Sequence, residues 1–140
     1  MNLQFALDSY RQAGPVSEVE TASRFRLIQI LMEHGLGQLA HAAAVVESDD
    51  ATKCRQALGK AIDAIETLRQ SLNNEHQHEE LGQRLESLYG HMIEELVRAS
   101  SDLNQGRIAH VQRLMTTIKS AWDELPEQRP NDPSLDAYFQ

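Results

Sequence analysis

At 140 residues the chain has the length of one domain, on a scale of roughly 100–200 residues per domain, and no second catalytic lobe has room to fold beside it. Lys and Arg number 13 against 21 Asp and Glu, a formal charge of −8 that repels phosphate backbones and anionic lipid, so nucleic-acid and membrane-surface roles fall away. A hydrophobic content of 41% supplies a core without a metal or disulfide staple, and the single cysteine, Cys54, which cannot bridge within the chain, points to a reducing, cytoplasmic compartment.

The opening residues lack the basic stretch and long apolar run of a secretory signal, and no run of about 18 apolar residues suggests a membrane span. Leu3, Ala6, Leu7 and Tyr10 sit at helical spacing before Gly14-Pro15, so residues 1–20 are read as a short N-terminal helix or cap segment. From 21 to 125 proline is absent and the apolar residues recur every three or four positions, the period of one helix face rather than of a strand. The spacing predicts four helices.

The first starts after Ser23, a good N-cap, and carries Ile28, Leu31, Met32, Gly35, Leu36, Leu39, Ala42, Ala43 and Val46 on one side until Ser48-Asp49-Asp50. Those aspartates open the second, whose stripe is Cys54, Leu58, Ala61, Ile62, Ile65, Leu68 and Leu72, ending near Asn73-Asn74. The third starts around His78, with Glu79 and Glu80 favouring the positive end of its dipole, and carries Leu81, Leu85, Leu88, Met92, Leu96 and Ala99 until Asp102 to Gly106 close it. The fourth shows Ile108, Val111, Met115, Ile118, Trp122 and Leu125 before Pro126 forbids continuation. Helices of this length on short loops imply an all-α, antiparallel up-down-up-down four-helix bundle over 21–125, with 126–140 a polar, proline-punctuated tail.

Enzymatic chemistry finds little support. A di-metal carboxylate bundle needs inward Glu residues and Glu-x-x-His turns on two helices, but the sole Glu-x-x-His, Glu75 to His78, falls in a loop. The string His78-Glu79-Glu80-Leu81-Gly82 has glycine where a zinc protease needs its second histidine. No metal, cofactor or phosphate loop is expected, and Cys54 on the core seam is inert packing. A phosphotransfer bundle remains the alternative, with His91 and His110 its candidate histidines, although Glu94 and Glu95 follow His91 and only Arg113 offers His110 a cation. More telling is the breadth of the apolar surface. On the third helix a row Tyr89, Ile93, Val97 runs beside the seam, and Leu27 and Ile30 lie off the stripe of the first. The pattern fits a helix buried on two sides or an exposed groove for an apolar partner helix.

The run Val19-Glu20-Thr21-Ala22-Ser23-Arg24-Phe25-Arg26-Leu27-Ile28-Gln29-Ile30-Leu31-Met32-Glu33-His34-Gly35-Leu36 resembles the opening of the flagellin export chaperone family, FliS. The likeness continues through Lys60-Ala61-Ile62 with Ile65, Leu68 and Ser71-Leu72, through Leu85-Glu86-Ser87-Leu88-Tyr89-Gly90-His91-Met92, and to Ala121-Trp122. Arg24 stands in place of the family's first-turn proline. The resemblance implies a cytoplasmic, non-enzymatic chaperone that binds the disordered C-terminal segment of flagellin, prevents premature polymerisation and delivers it to the flagellar type III export gate. A disordered segment that folds on a preformed scaffold needs an extended apolar groove more than a deep pocket. Leu27, Ile30, Ile65, Leu68, Leu72, Leu85, Tyr89 and Ile93 are the expected partner-binding residues, and Leu7 and Tyr10 the expected N-terminal cap that flagellin displaces.

Overall fold

A computed structural model of the chain describes residues 23–48, 50–72 and 80–125. The N-terminal cap with Leu7 and Tyr10, the expected second-helix end at Asn73-Asn74, the third-helix start at His78 and the 126–140 tail all lie outside these residues. The described chain forms four helices: α1 Arg24–Val46, α2 Ala51–Gln70, α3 Glu80–Asp102 and α4 Gln105–Asp123. Among the described residues there is no strand.

The starts of α1, α2 and α4 are each built by a side chain satisfying an orphan backbone amide. Ser23 Oγ accepts from Arg26 N at 3.1 Å, and Asp50 Oδ1 accepts from Lys53 N at 3.1 Å. At the third junction the expected loop from Asp102 to Gly106 shortens to Leu103-Asn104. Asn104 Oδ1 accepts from Gly106 N at 2.8 Å and from Arg107 N at 3.4 Å, so α4 begins one residue before its glycine. Leu103 takes the left-handed conformation, φ 52°, which reverses the chain directly after α3.

The contacts between helices fix their directions. Cys54 Sγ approaches Ala42 O while Gly35 faces Ala64, so α1 and α2 run antiparallel. Arg55 reaches Ser100 and Arg69 reaches Glu86; Glu95 meets Arg107 and His91 meets His110. Phe25 and Gln29 meet Trp122 and Asp123, while Glu47 meets Gln105. Every helix is antiparallel to the next and α1 to α4, so the four helices close into a ring around one core.

That core is lined by Phe25, Ile28, Leu31, Met32, Leu39 and Ala42 of α1, Cys54, Leu58, Ala61, Ile65 and Leu68 of α2, Tyr89, Met92, Leu96 and Ala99 of α3, and Ile108, Val111, Met115 and Trp122 of α4. The stripes expected on α1, α2 and α4 are those that face inward, with Leu36, Ala43, Val46, Ile62 and Ile118 at their margins and Leu125 exposed. On α3 the expectation needs correcting. Leu81 is 51% exposed and Leu88 half-buried, whereas Tyr89 is sealed. Leu85, Met92, Leu96 and Ala99 hold the inward places expected of them, and Gly82 and Tyr89 take those of Leu81 and Leu88.

Candidate functional site

The buried titratable side chains are tuned for packing. Burial pushes the Cys54 thiol and the Tyr89 phenol up from their ordinary pKa values, away from the ionised forms a nucleophile or base needs. Among the described residues no three His, Cys, Asp or Glu side chains cluster to hold a metal, and no helix is long and apolar enough to cross a membrane. The two candidate phosphohistidines face each other, His91 Nε2 to His110 Nε2 at 2.9 Å. Each thus spends its outer nitrogen on the other rather than presenting it to a phosphate donor.

What the surface does offer is apolar. Arg55 Nε donates to Ser100 O at 2.8 Å, and Arg69 Nε lies 3.7 Å from Glu86 Oε1. In an antiparallel pair with this register, Ile62 of α2 stands opposite Ile93 of α3, midway between the two arginine bridges. Both isoleucines are partly buried against the core, and one turn further along α3 Val97 is 53% exposed. Gly59, one turn before Ile62, has nothing within 4 Å of where a side chain would start, so the helix surface there is open. Gly90, by contrast, lies beneath the Arg69 guanidinium, 3.7 Å from the same point, and Arg69 also meets Glu66 at 3.3 Å. The register thus sets Gly59, Ile62, Ile93 and Val97 along the furrow where α2 meets α3, with an arginine bridge towards each end.

The eight expected partner-binding residues divide by burial. Ile65, Leu68, Leu72 and Tyr89 belong to the core, Leu85 and Ile93 are partly exposed at its margin, and Leu27 is half-buried on α1. Ile30 is fully buried yet stands apart from the main core cluster, as does Ala64. Helical periodicity alone does not join Gly59 and Ile62 of α2 to the Ile93 row of α3. The available signal was a glycine on the polar side of a helix interior, where it costs about 1 kcal/mol relative to alanine.

The opposite edge of the bundle is tied shut. The Trp122 ring stacks on Phe25 at 5.0 Å between centroids, and its indole Nε1 donates to Phe25 O at 3.2 Å. Around it Gln29 Nε2 donates to Asp123 Oδ1 at 2.7 Å, and Lys119 Nζ meets Asp123 Oδ2 at 2.7 Å and Glu33 at 3.9 Å. At the α3–α4 turn Arg107 binds Glu95 at 2.7 Å and Asp102 at 2.9 Å, and these bonds hold both carboxyls below their ordinary range.

Residues 6–129 match the family described as flagellar protein FliS. The chain belongs to that family. It is 36% identical over 118 residues to the flagellar secretion chaperone FliSB of Pseudomonas aeruginosa, covering 84% of this chain and 93% of that one. To the flagellar secretion chaperone FliS of Escherichia coli it is 33% identical over 117 residues, 83% of this chain and 85% of the relative. The FliS of Vibrio cholerae is 27% identical over 126 residues, 90% and 92% of the two chains. FliS members are named as chaperones, not enzymes. In this chain the four-helix ring is the scaffold, and the α2–α3 furrow is the candidate partner surface.

Proposed function

We propose that this flagellar secretion chaperone acts in the cytoplasm by binding the disordered C-terminal segment of flagellin, keeping it from polymerising and handing it to the flagellar type III export apparatus. The observation that carries this reading is the apolar furrow between α2 and α3 in a chain of the FliS family. A segment folding into an amphipathic helix would set its apolar face on Ile62, Ile93 and Val97 while the bridges of Arg55 and Arg69 bound the furrow. The apolar area it buries offsets an ordering cost of about 2–5 kcal/mol. Among the expected residues, Ile93 would touch the partner in the furrow; Leu85, past the Arg69 bridge, and Leu27, on α1, would meet only a partner that runs beyond it, and Ile30, Ile65, Leu68, Leu72 and Tyr89 would shape the helices. The net charge of −8 keeps a protein with uncovered apolar rows soluble.

Titration of the full chain with a flagellin C-terminal peptide tests this. The expected result is saturable one-to-one binding with a gain of helical circular dichroism, and no heat or dichroism change at about 50 µM peptide refutes it. Val97→Asp should weaken the complex about tenfold, ~1.4 kcal/mol, while its exposure keeps the change in unfolding free energy within about 0.5 kcal/mol. The expected cap adds a second arm. Deleting residues 1–15 should tighten peptide binding or leave it unchanged, and a large loss with the bundle still folded removes the cap from the proposal.

A further inference from the structure

The His91–His110 pair has no part in an apolar docking surface, and its geometry is specific. The two residues sit on different helices, and their register is set one turn away by Arg107, which binds Glu95 four residues after His91 and lies three residues before His110. The two-residue Leu103-Asn104 connection fixes the same register from the loop side. Their Nε2 atoms stand 2.9 Å apart with the rings nearly perpendicular, at 80°. With metal–imidazole bonds of about 2.0–2.1 Å, two cis ligands are separated by about 2.9 Å at a right angle and about 3.3 Å at a tetrahedral one. In this contact one Nε2 carries the hydrogen and the other accepts it; moving that hydrogen to the ring's Nδ1 and swinging the two rings slightly brings both Nε2 lone pairs onto a shared point.

We infer that His91 and His110 form a two-imidazole site for a late first-row divalent ion of the Zn²⁺, Ni²⁺ or Cu²⁺ type, tying α3 to α4. Imidazole suits these ions, and hard cations such as Mg²⁺ or Ca²⁺ prefer all-oxygen shells. The remaining coordination positions fall to water. Glu95, one turn after His91, is engaged by Arg107, and among the described residues no third ligand joins the pair. The surface is open on both sides for that water: one depression is lined by Ser87, Leu88 and His91, the other by Glu95, Arg107 and His110. An ion held by one ligand from each helix binds the folded register and not the unfolded chain, so binding and folding are linked.

The test is a titration of the tag-free full chain with NiCl2 and ZnCl2 in a non-coordinating buffer at about pH 7.5, since imidazole sites bind metal in competition with protons. One equivalent should bind and raise the thermal midpoint. His91→Gln and His110→Gln should each weaken binding about tenfold or more and abolish the midpoint rise, and the double variant should be no worse than either single, because two-point attachment fails when one point goes. His76 and His78 lie outside the described residues, and a His76→Gln/His78→Gln variant is the control that should keep both effects. Binding that survives either single substitution, or that is lost only in the control variant, overturns the site. So does saturation that leaves the midpoint of the original chain unmoved. Circular dichroism of each variant confirms that these exposed substitutions leave the bundle folded.

Discussion

The α1–α4 edge and the α2–α3 edge of the same ring are finished in opposite ways. Between α1 and α4 an aromatic pair is stacked, its indole nitrogen is satisfied by a main-chain carbonyl, and a polar chain from Arg26 through Glu33 and Lys119 to Asp123 seals the outside. Between α2 and α3 the corresponding strip holds two isoleucines, an exposed valine and a bare glycine, with arginine bridges only at its ends. One edge is closed by its own side chains, and the other leaves apolar surface that another molecule can cover. Stability and partner binding should therefore respond to substitutions at different edges.

The largest effect is expected at the closed edge. Trp122→Ala removes the stack on Phe25 and leaves a cavity at a buried position, and such losses cost about 3–5 kcal/mol. Denaturant unfolding should show that loss in the midpoint. A flagellin peptide should bind the folded fraction of the variant as it binds the parent chain; equal damage to binding in the folded state would erase the distinction between the edges.

Next comes Tyr89, which the sequence placed on an outer row and the structure places in the core. Among the described residues no group forms a hydrogen bond with its hydroxyl, and burial alone raises its pKa. An unpaired buried hydroxyl costs about 1–3 kcal/mol, so Tyr89→Phe should raise the unfolding free energy by roughly 1 kcal/mol. Peptide binding should stay as it was if Tyr89 only shapes α3, and a loss of binding alongside a gain of stability would draw its hydroxyl into the interface.

Tyr89 also shows where a sequence stops being legible. Caps at Ser23 and Asp50 can be read because each rests on one side chain and amides two or three residues away. The inward stripes of α1, α2 and α4 can be read because each is a single row. On α3 two apolar rows lie side by side, and a helical period cannot say which of them faces inward; Tyr89 won that place and Leu81 and Leu88 lost it through packing against α2 and α4. The furrow and the His91–His110 pair depend on the register between helices, which Arg55, Arg69 and Arg107 set through contacts 45, 17 and 12 residues away in sequence. The start of α4 is obscured for a local reason: Gly106 reads as a loop residue unless Asn104 is known to cap it.

A smaller effect separates two glycines. Gly37 on α1 and Gly59 on α2 both have open space where a side chain would begin, so alanine at either should stabilise its helix by about 0.5–1 kcal/mol. Only Gly59 lies in the furrow. Gly59→Ala should therefore gain stability and weaken peptide binding, whereas Gly37→Ala should gain stability alone. If the two variants bind alike, the partner does not approach α2 at that turn.

The smallest effect is electrostatic and belongs to the closed edge. The Lys119 ammonium, with Gln29 beside it, holds the Asp123 carboxyl below its ordinary value of 3.8. The folded state thus binds this proton less readily than the unfolded chain does, so the stabilisation is complete above about pH 4 and disappears as the pH falls through the lowered folded value. Asp123 is more than a third exposed, and solvent screening keeps the contribution modest. Asp123→Asn should flatten the slope of stability against pH in that acid range while leaving the slope between about pH 6 and 8, where an ordinary carboxylate does not titrate, unchanged. Added salt should shrink the difference between the two proteins at neutral pH. The furrow, whose contribution is apolar, should keep its peptide affinity across the same salt series, and a parallel fall in both would mean that the arginine bridges, rather than Ile62, Ile93 and Val97, carry the binding.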